Sequence, residues 1–278
     1  MPEIDNISHA NTRPMDPNGA VHVHQVKITQ TKRYDVMIAY GGHGGAEMLK
    51  AAEFKRKRLL EKAPESVIPA PKIFRSQQEF KDIWTSIFND LQLRNKSGMY
   101  TYELYEIHIF AHSDPDQIII RKGEHINKTV IQSLEKLRWS PELGHLVLHS
   151  CRSGCFEDDN LTQRNSEECI ARDFSSYQPA YVIGQMVYAS FNYGPQPQDW
   201  KYRATVNDKF AIDVLGMNEL VLWGYKSGDA IKERFSNDVE YKTLFGGQLW
   251  PCRKYRNGEK IDRKVAQNQF NDDDLNFI

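Results

Sequence analysis

No run of apolar residues approaches the roughly 18 that a membrane-spanning helix needs, so no membrane partner is expected. Neither sign of charge is in surplus: 36 Lys and Arg stand against 37 Asp and Glu, a formal net charge of −1. That balance leaves no electrostatic footprint for nucleic acid or an anionic surface. Four cysteines in 278 residues are too few for a disulfide scaffold. Residues 1–19 carry Glu3, Asp5 and Asp16 and lack the basic and apolar regions of a secretory signal. The expectation is cytoplasmic synthesis, with any secretion or injection proceeding without a cleaved signal peptide.

Hydrophobic residues make up 40% and charged residues 26%, the composition of a folded globular chain. Residues 1–20 read as a leader rich in Asn, Pro and Asp, and 21–29 alternate as an edge strand or arm would. The run Tyr34-Asp-Val-Met-Ile-Ala-Tyr40 predicts a strand, Gly41 to Gly45 a tight turn, and 46–62 a helix stopped by Pro64. A short strand is expected at 72–74. Ser76 with Glu79 forms a capping box for a helix whose stripe is Phe80, Ile83, Trp84, Ile87, Phe88 and Leu91. Strands follow at 105–111 and 117–120, then a helix from Asn127 through about Arg138 and a strand at 145–149. Beyond these come a helix over 166–174 and strands at 180–183 and 220–225, with a capped surface element at 270–275. Strand–helix alternation predicts an α/β fold, a mainly parallel sheet flanked by helices on both faces. The expected divisions are an N-terminal arm (1–33), a catalytic core (34–194) and a C-terminal extension packed on it (195–278).

Two residues then coincide in kind and place. His112 ends one predicted strand and Cys151 follows another, 39 residues later, which leaves room for one crossover helix. In parallel sheets the carboxyl edge faces the crevice where ligands bind. The thiolate, not the thiol, attacks a carbonyl, and an unperturbed thiol with pKa about 8.5 is mostly protonated at neutral pH. A neighbouring imidazole accepts that proton and can return it to a leaving amine. The amides of Ser113 and Cys151 are candidate oxyanion donors, with Gly154 and the small Ser153 allowing close approach. His43, His149, Ser150 and Arg152 are candidate residues lining the cleft.

The ordered set His112, crossover, Ser150-Cys151-Arg152-Ser153-Gly154 resembles the caspase–haemoglobinase fold of cysteine peptidases (clan CD), which includes clostripain, gingipain, caspases and CHAT-domain peptidases. The likeness covers about 34–192. It extends through Glu168-Cys-Ile-Ala-Arg-Asp-Phe174 and Tyr181-Val-Ile-Gly184, similar to bacterial toxin-type members. It implies a Cys–His dyad with Cys151 as nucleophile and His112 as base, no cofactor or metal in the reaction, and a protein or peptide substrate. It also implies a toxin effector, with an inhibitor or immunity protein as a further partner. Two positions depart from the pattern: Ser113 stands where many members have glycine after the histidine. His149-Ser150 stand where Arg- or Lys-specific members carry an acid, which argues against an acidic primary pocket.

Two other readings follow from the same residues. A catalytically inactive protein-binding module on this fold would keep the architecture without an activated thiol. A metal-assisted hydrolase would use His145 and His149, which share a strand face with Val147, together with Cys151 or Cys155. The Gly41–Gly45 turn lacks the ending of a P-loop and reads as a tight turn beside the site. His108 and His125 read as structural.

Overall fold

The computed structural model describes residues 30–96, 98–154, 168–185, 189–193, 219–223 and 252–261. Its centre is a seven-stranded sheet in the order β12-β11-β8-β7-β3-β1-β2. Here β1 is Gln30–Tyr40, β2 Lys72–Phe74, β3 Tyr100–Phe110, β7 His145–His149, β8 Tyr181–Gln185, β11 Cys252–Arg256 and β12 Glu259–Lys260. The pairs β2–β1, β1–β3, β3–β7 and β7–β8 are parallel, and β11 runs antiparallel to β8. The protein is therefore of α/β class with a mostly parallel sheet, and the strand before His112 lies directly beside the strand before Cys151.

β7 is buried along its whole length, and so are the last seven residues of β1, which is why both read as short apolar runs. Among the described residues there are four helices, α1 (Gly45–Lys62), α2 (Gln77–Lys96), α3 (Lys128–Gln132) and α4 (Ile170–Tyr177), and all but α3, which meets α4 and β6, pack on this sheet. α1 contacts β1 and β3, α2 contacts β2 and β3, and α4 contacts β8 and β11. The α2 stripe falls as its spacing predicts, with Phe80, Trp84, Ile87 and Leu91 buried. Ser76 Oγ accepts from the amide of Glu79, and the Glu79 carboxylate reaches back to the amide of Arg75. No helix among the described residues is long and apolar enough to cross a membrane.

Two expectations are corrected. The connection from β3 to β7 is not completed by the expected helix from Asn127 through about Arg138, although the strand expected at 117–120 is present. It begins with a three-stranded antiparallel sheet, β4 (His112–Asp114), β5 (Gln117–Arg121) and β6 (Glu124–Ile126), and continues with the five-residue α3. Asn127 does cap α3, accepting from the amide of Val130. The helix ends at Ser133 because distant groups capture the following backbone. Gln178 accepts from the Leu137 amide and donates to the Glu135 carbonyl, which also accepts from the Trp84 indole.

The second correction concerns boundaries: β1 begins at Gln30, so residues 30–33 of the expected arm belong to the sheet. Residues 252–256 of the expected extension likewise form a strand of the main sheet. The β11–β12 hairpin turns on Asn257 and Gly258, both at positive φ (53° and 76°), the two-residue turn that Asn-Gly favours. The strand expected at 220–225 is present as β10 (Glu219–Trp223), paired with β9 (Ala189–Tyr193) in a separate two-stranded sheet. The expected arm strand at 21–29 and the element at 270–275 lie outside the described residues.

Candidate active site

The candidate edge is assembled by two backbones running side by side. Phe110 of β3 is in register with His149 of β7, and the Ala111 amide donates to the His149 carbonyl at 3.3 Å. Two residues on, the Ser113 hydroxyl donates to the Cys151 carbonyl. His112 thus sits between two residues tied to the Cys151 strand. Ser113 uses its side chain as the second of these ties.

The His112 ring is oriented from the other side, by the glycine-rich turn after β1. Its Nε2 lies 3.0 Å from the carbonyl oxygen of His43. A carbonyl only accepts, so Nε2 carries the hydrogen and a neutral His112 keeps Nδ1 as the proton acceptor. The His43 ring stacks at 6.2 Å between centroids, and Tyr40 meets His112 edge-on at 6.0 Å. Gly44, at φ 71°, allows the turn, and a Cβ built there would sit 3.4 Å from His112 Nε2. His43 therefore contributes its backbone and ring to the wall around His112.

Cys151 is a half-buried thiol two residues past the end of β7, whereas Cys169, the residue before α4, is fully buried. Cys155 lies outside the described residues. The described residues that follow Cys151, 152–154, are held by neighbouring elements. Arg152 takes the left-handed conformation (φ 53°), costly for a non-glycine residue, and its guanidinium bonds Asp114 of β4 at 3.2 Å. Ser153 Oγ donates to the Ser150 carbonyl, and the Ser153 carbonyl accepts from the Ala171 amide. Gly154 presses on Gly184 of β8 so closely that a Cβ would lie 2.3 Å from the Gly184 carbonyl oxygen.

His149 and Ser150 were expected to line the cleft and do not. Both are buried, His149 at 1% and Ser150 at 0% exposure. His149 instead ends a hydrogen-bonded chain beneath the sheet edge. Its Nε2 lies 2.9 Å from His108 Nδ1, and His108 Nε2 lies 2.7 Å from Glu106 Oε2. Glu106 Oε1 accepts from Arg33, Arg33 also binds Asp35 at 2.6 Å, and Lys55 of α1 stands 3.9 Å from Glu106.

The charge states of this chain follow from burial and pairing. Burial alone would raise the Glu106 carboxyl, but the bond from His108 and the charges of Lys55 and Arg33 outweigh it and hold the group well below the usual range. Burial depresses His108 to about 4, helped by Lys55, and depresses His149 well below the ordinary value. Asp35, which burial and the nearby Glu106 oppose against Arg33, is pushed up to about 7. At neutral pH the chain is an ionised Glu106 followed by two neutral imidazoles.

Glu106, Arg33, Asp35 and Lys55 were not read from the sequence as site residues, and His108 was assigned no role. Polar alternation along β3 signals a half-exposed strand, and only tertiary packing shows both faces covered. His145 shares the strand face with His149 as expected; its Nδ1 lies 2.9 Å from the Leu143 carbonyl and its ring stacks on Tyr181. Among the described residues no group of three or more His, Cys, Asp or Glu is placed to hold a metal ion. A cavity of about 410 Å³ between α2 and residues 136–138 lies near the middle of β3, where the Arg138 carbonyl accepts from the Leu104 amide, and none of its lining residues belongs to the candidate edge. The sequence matches no protein-family model and no curated protein.

Proposed function

We propose that this chain is a cysteine peptidase of the caspase–haemoglobinase type, with Cys151 as nucleophile and His112 as its acid–base partner. The observation that carries the reading is the handing of the His112 Nε2 hydrogen to the His43 carbonyl, at a residue whose two neighbours are bonded to the strand end that presents Cys151. Such a bond fixes the tautomer and ring plane of a general base without a third side chain. The adjacency of β3 and β7 and the chain order His before Cys also support it. So does the layering, with Lys55 of α1 meeting Glu106 on one sheet face and Ala171 of α4 meeting Gly184 on the other.

In this mechanism His112 Nδ1 takes the Cys151 proton and Sγ attacks the scissile carbonyl carbon. The oxyanion forms toward the amides of Ser113 and Cys151. The C–N bond breaks as His112 returns the proton to the leaving amine, leaving a thioester. Water, deprotonated by His112, then attacks; the C–S bond breaks, the acid departs and the thiol is restored. Peptide or protein is the substrate class.

The test is turnover of a proteome-derived peptide library by the full chain, read by mass spectrometry. The wild type should generate new termini and Cys151→Ala should generate none, with an unchanged circular dichroism spectrum. Cleavage surviving in Cys151→Ala would place the nucleophile elsewhere.

A further inference from the structure

The residues two positions before the base and the nucleophile are a matched pair. Phe110 precedes His112, His149 precedes Cys151, and their rings stack face to face, 4.3 Å between centroids and 2° from parallel. One ring is apolar and the other belongs to the buried chain. Glu106 can only accept, so His108 Nε2 bears hydrogen; a neutral His108 then accepts at Nδ1, and His149 must donate from Nε2. Both tautomers and both ring planes are thereby fixed from Glu106 outward. The chain begins at Arg33, whose side chain is 24% exposed, and ends beneath the Cys151 loop.

We propose that Glu106, His108 and His149 form a positioning relay that locks His149 against Phe110 and so sets the separation of Cys151 from His112. Stability does not account for such a chain, since apolar residues of similar volume in place of buried polar groups are often neutral or stabilising. A clasp between the two reactive strand ends does account for it. The relay rests on the peptidase reading, because it acts by holding the thiol beside its base. Charged or titratable groups around it among the described residues are Lys55 from α1, Arg33 and Asp35 from β1, Glu106 and His108 from β3, and His145 from β7.

The experiment follows the alkylation rate of Cys151 against pH, by peptide mapping of the full chain, in wild type, His149→Leu and His112→Ala. His149→Leu keeps an apolar filling but loses both the stack and the bond to His108. Its Cys151 titration should move up by about one unit, toward the roughly 8.5 of an unperturbed thiol, with about tenfold slower alkylation at pH 7. A wild-type profile in folded His149→Leu would overturn the relay. Should that variant fail to fold, ¹⁵N spectroscopy of the wild-type imidazoles decides: neutral His108 and His149 with hydrogen on Nε2 support the relay, and hydrogen on Nδ1 of His149 overturns it. An ordinary wild-type thiol, unmoved by His112→Ala, is a different result and removes the peptidase reading itself.

Discussion

On one face of the central strands stand Val36, Ile38, Ile107, Ile109, Leu146 and Leu148; on the other, the same strands carry Asp35, Glu106, His108, His145 and His149. All eleven are buried. The apolar face does the ordinary work of a core, where each such side chain contributes roughly 1.5–3 kcal/mol by leaving water. The polar face removes charge and hydrogen-bonding capacity from water and recovers it only through an almost continuous set of partners. Equal burial thus covers unequal chemistry: one face is apolar at these positions, and the other sets the proposed relay among apolar neighbours such as Met37 and Val147.

The largest difference between the faces should appear when one partner of the polar set is removed. Glu106→Leu removes the carboxylate that meets Arg33 and Lys55 and that accepts from His108, and should cost about 3–5 kcal/mol. Urea unfolding measures it; a cost below about 1 kcal/mol would mean that the polar face is not interdependent. Leu148→Ala, one residue before His149 on the apolar face, should cost about 2–5 kcal/mol. Its Cys151 alkylation profile should stay at the wild-type position. A shifted profile there would erase the functional distinction between the faces.

A smaller effect is the pH dependence of stability. His108 and His145 titrate at about 4 when folded, both chiefly through burial, against about 6.5 unfolded. Between those values the unfolded chain binds more protons. The stability they contribute is complete above pH 6.5 and is lost as pH falls toward 4. Asp35 works the other way: raised to about 7, it favours the folded state below about 3.8 and loses that advantage as pH rises through 7. His145→Phe, which keeps a ring against Tyr181, should shrink the loss of stability between pH 7.5 and 5 by roughly 2 kcal/mol. Melting curves at the two pH values would show it, and an undiminished loss would locate the acid sensitivity elsewhere.

What the sequence made legible was local and apolar. The α2 stripe, the Ser76–Glu79 cap, the turn after Tyr40 and the buried run of β7 are each written in neighbouring residues. His112 and Cys151 were legible because each falls at a strand end, and the crossover length makes the strands neighbours. Contacts between distant residues were not legible. Gln178 captures the Leu137 amide from 41 positions away, and β4 is completed only by pairing with β5. Glu106 and His108 alternate with Ile107 and Ile109 as on a half-exposed strand, and nothing nearby announces that Arg33 and Lys55 will meet them. β11, written Cys-Arg-Lys-Tyr-Arg, carries a buried anchor, Tyr255, whose hydroxyl donates to the Gly154 carbonyl.

The account stands on the pairing of Cys151 with His112, and one comparison reaches it directly: the rate of peptide hydrolysis by wild type and His112→Ala, with Cys151 alkylation followed against pH in both. Loss of the acid–base partner should slow hydrolysis by about 10²–10⁴-fold and move the Cys151 titration upward toward that of an unperturbed thiol. A His112→Ala protein that hydrolyses at the wild-type rate, or whose Cys151 alkylates along the wild-type pH profile, would contradict it.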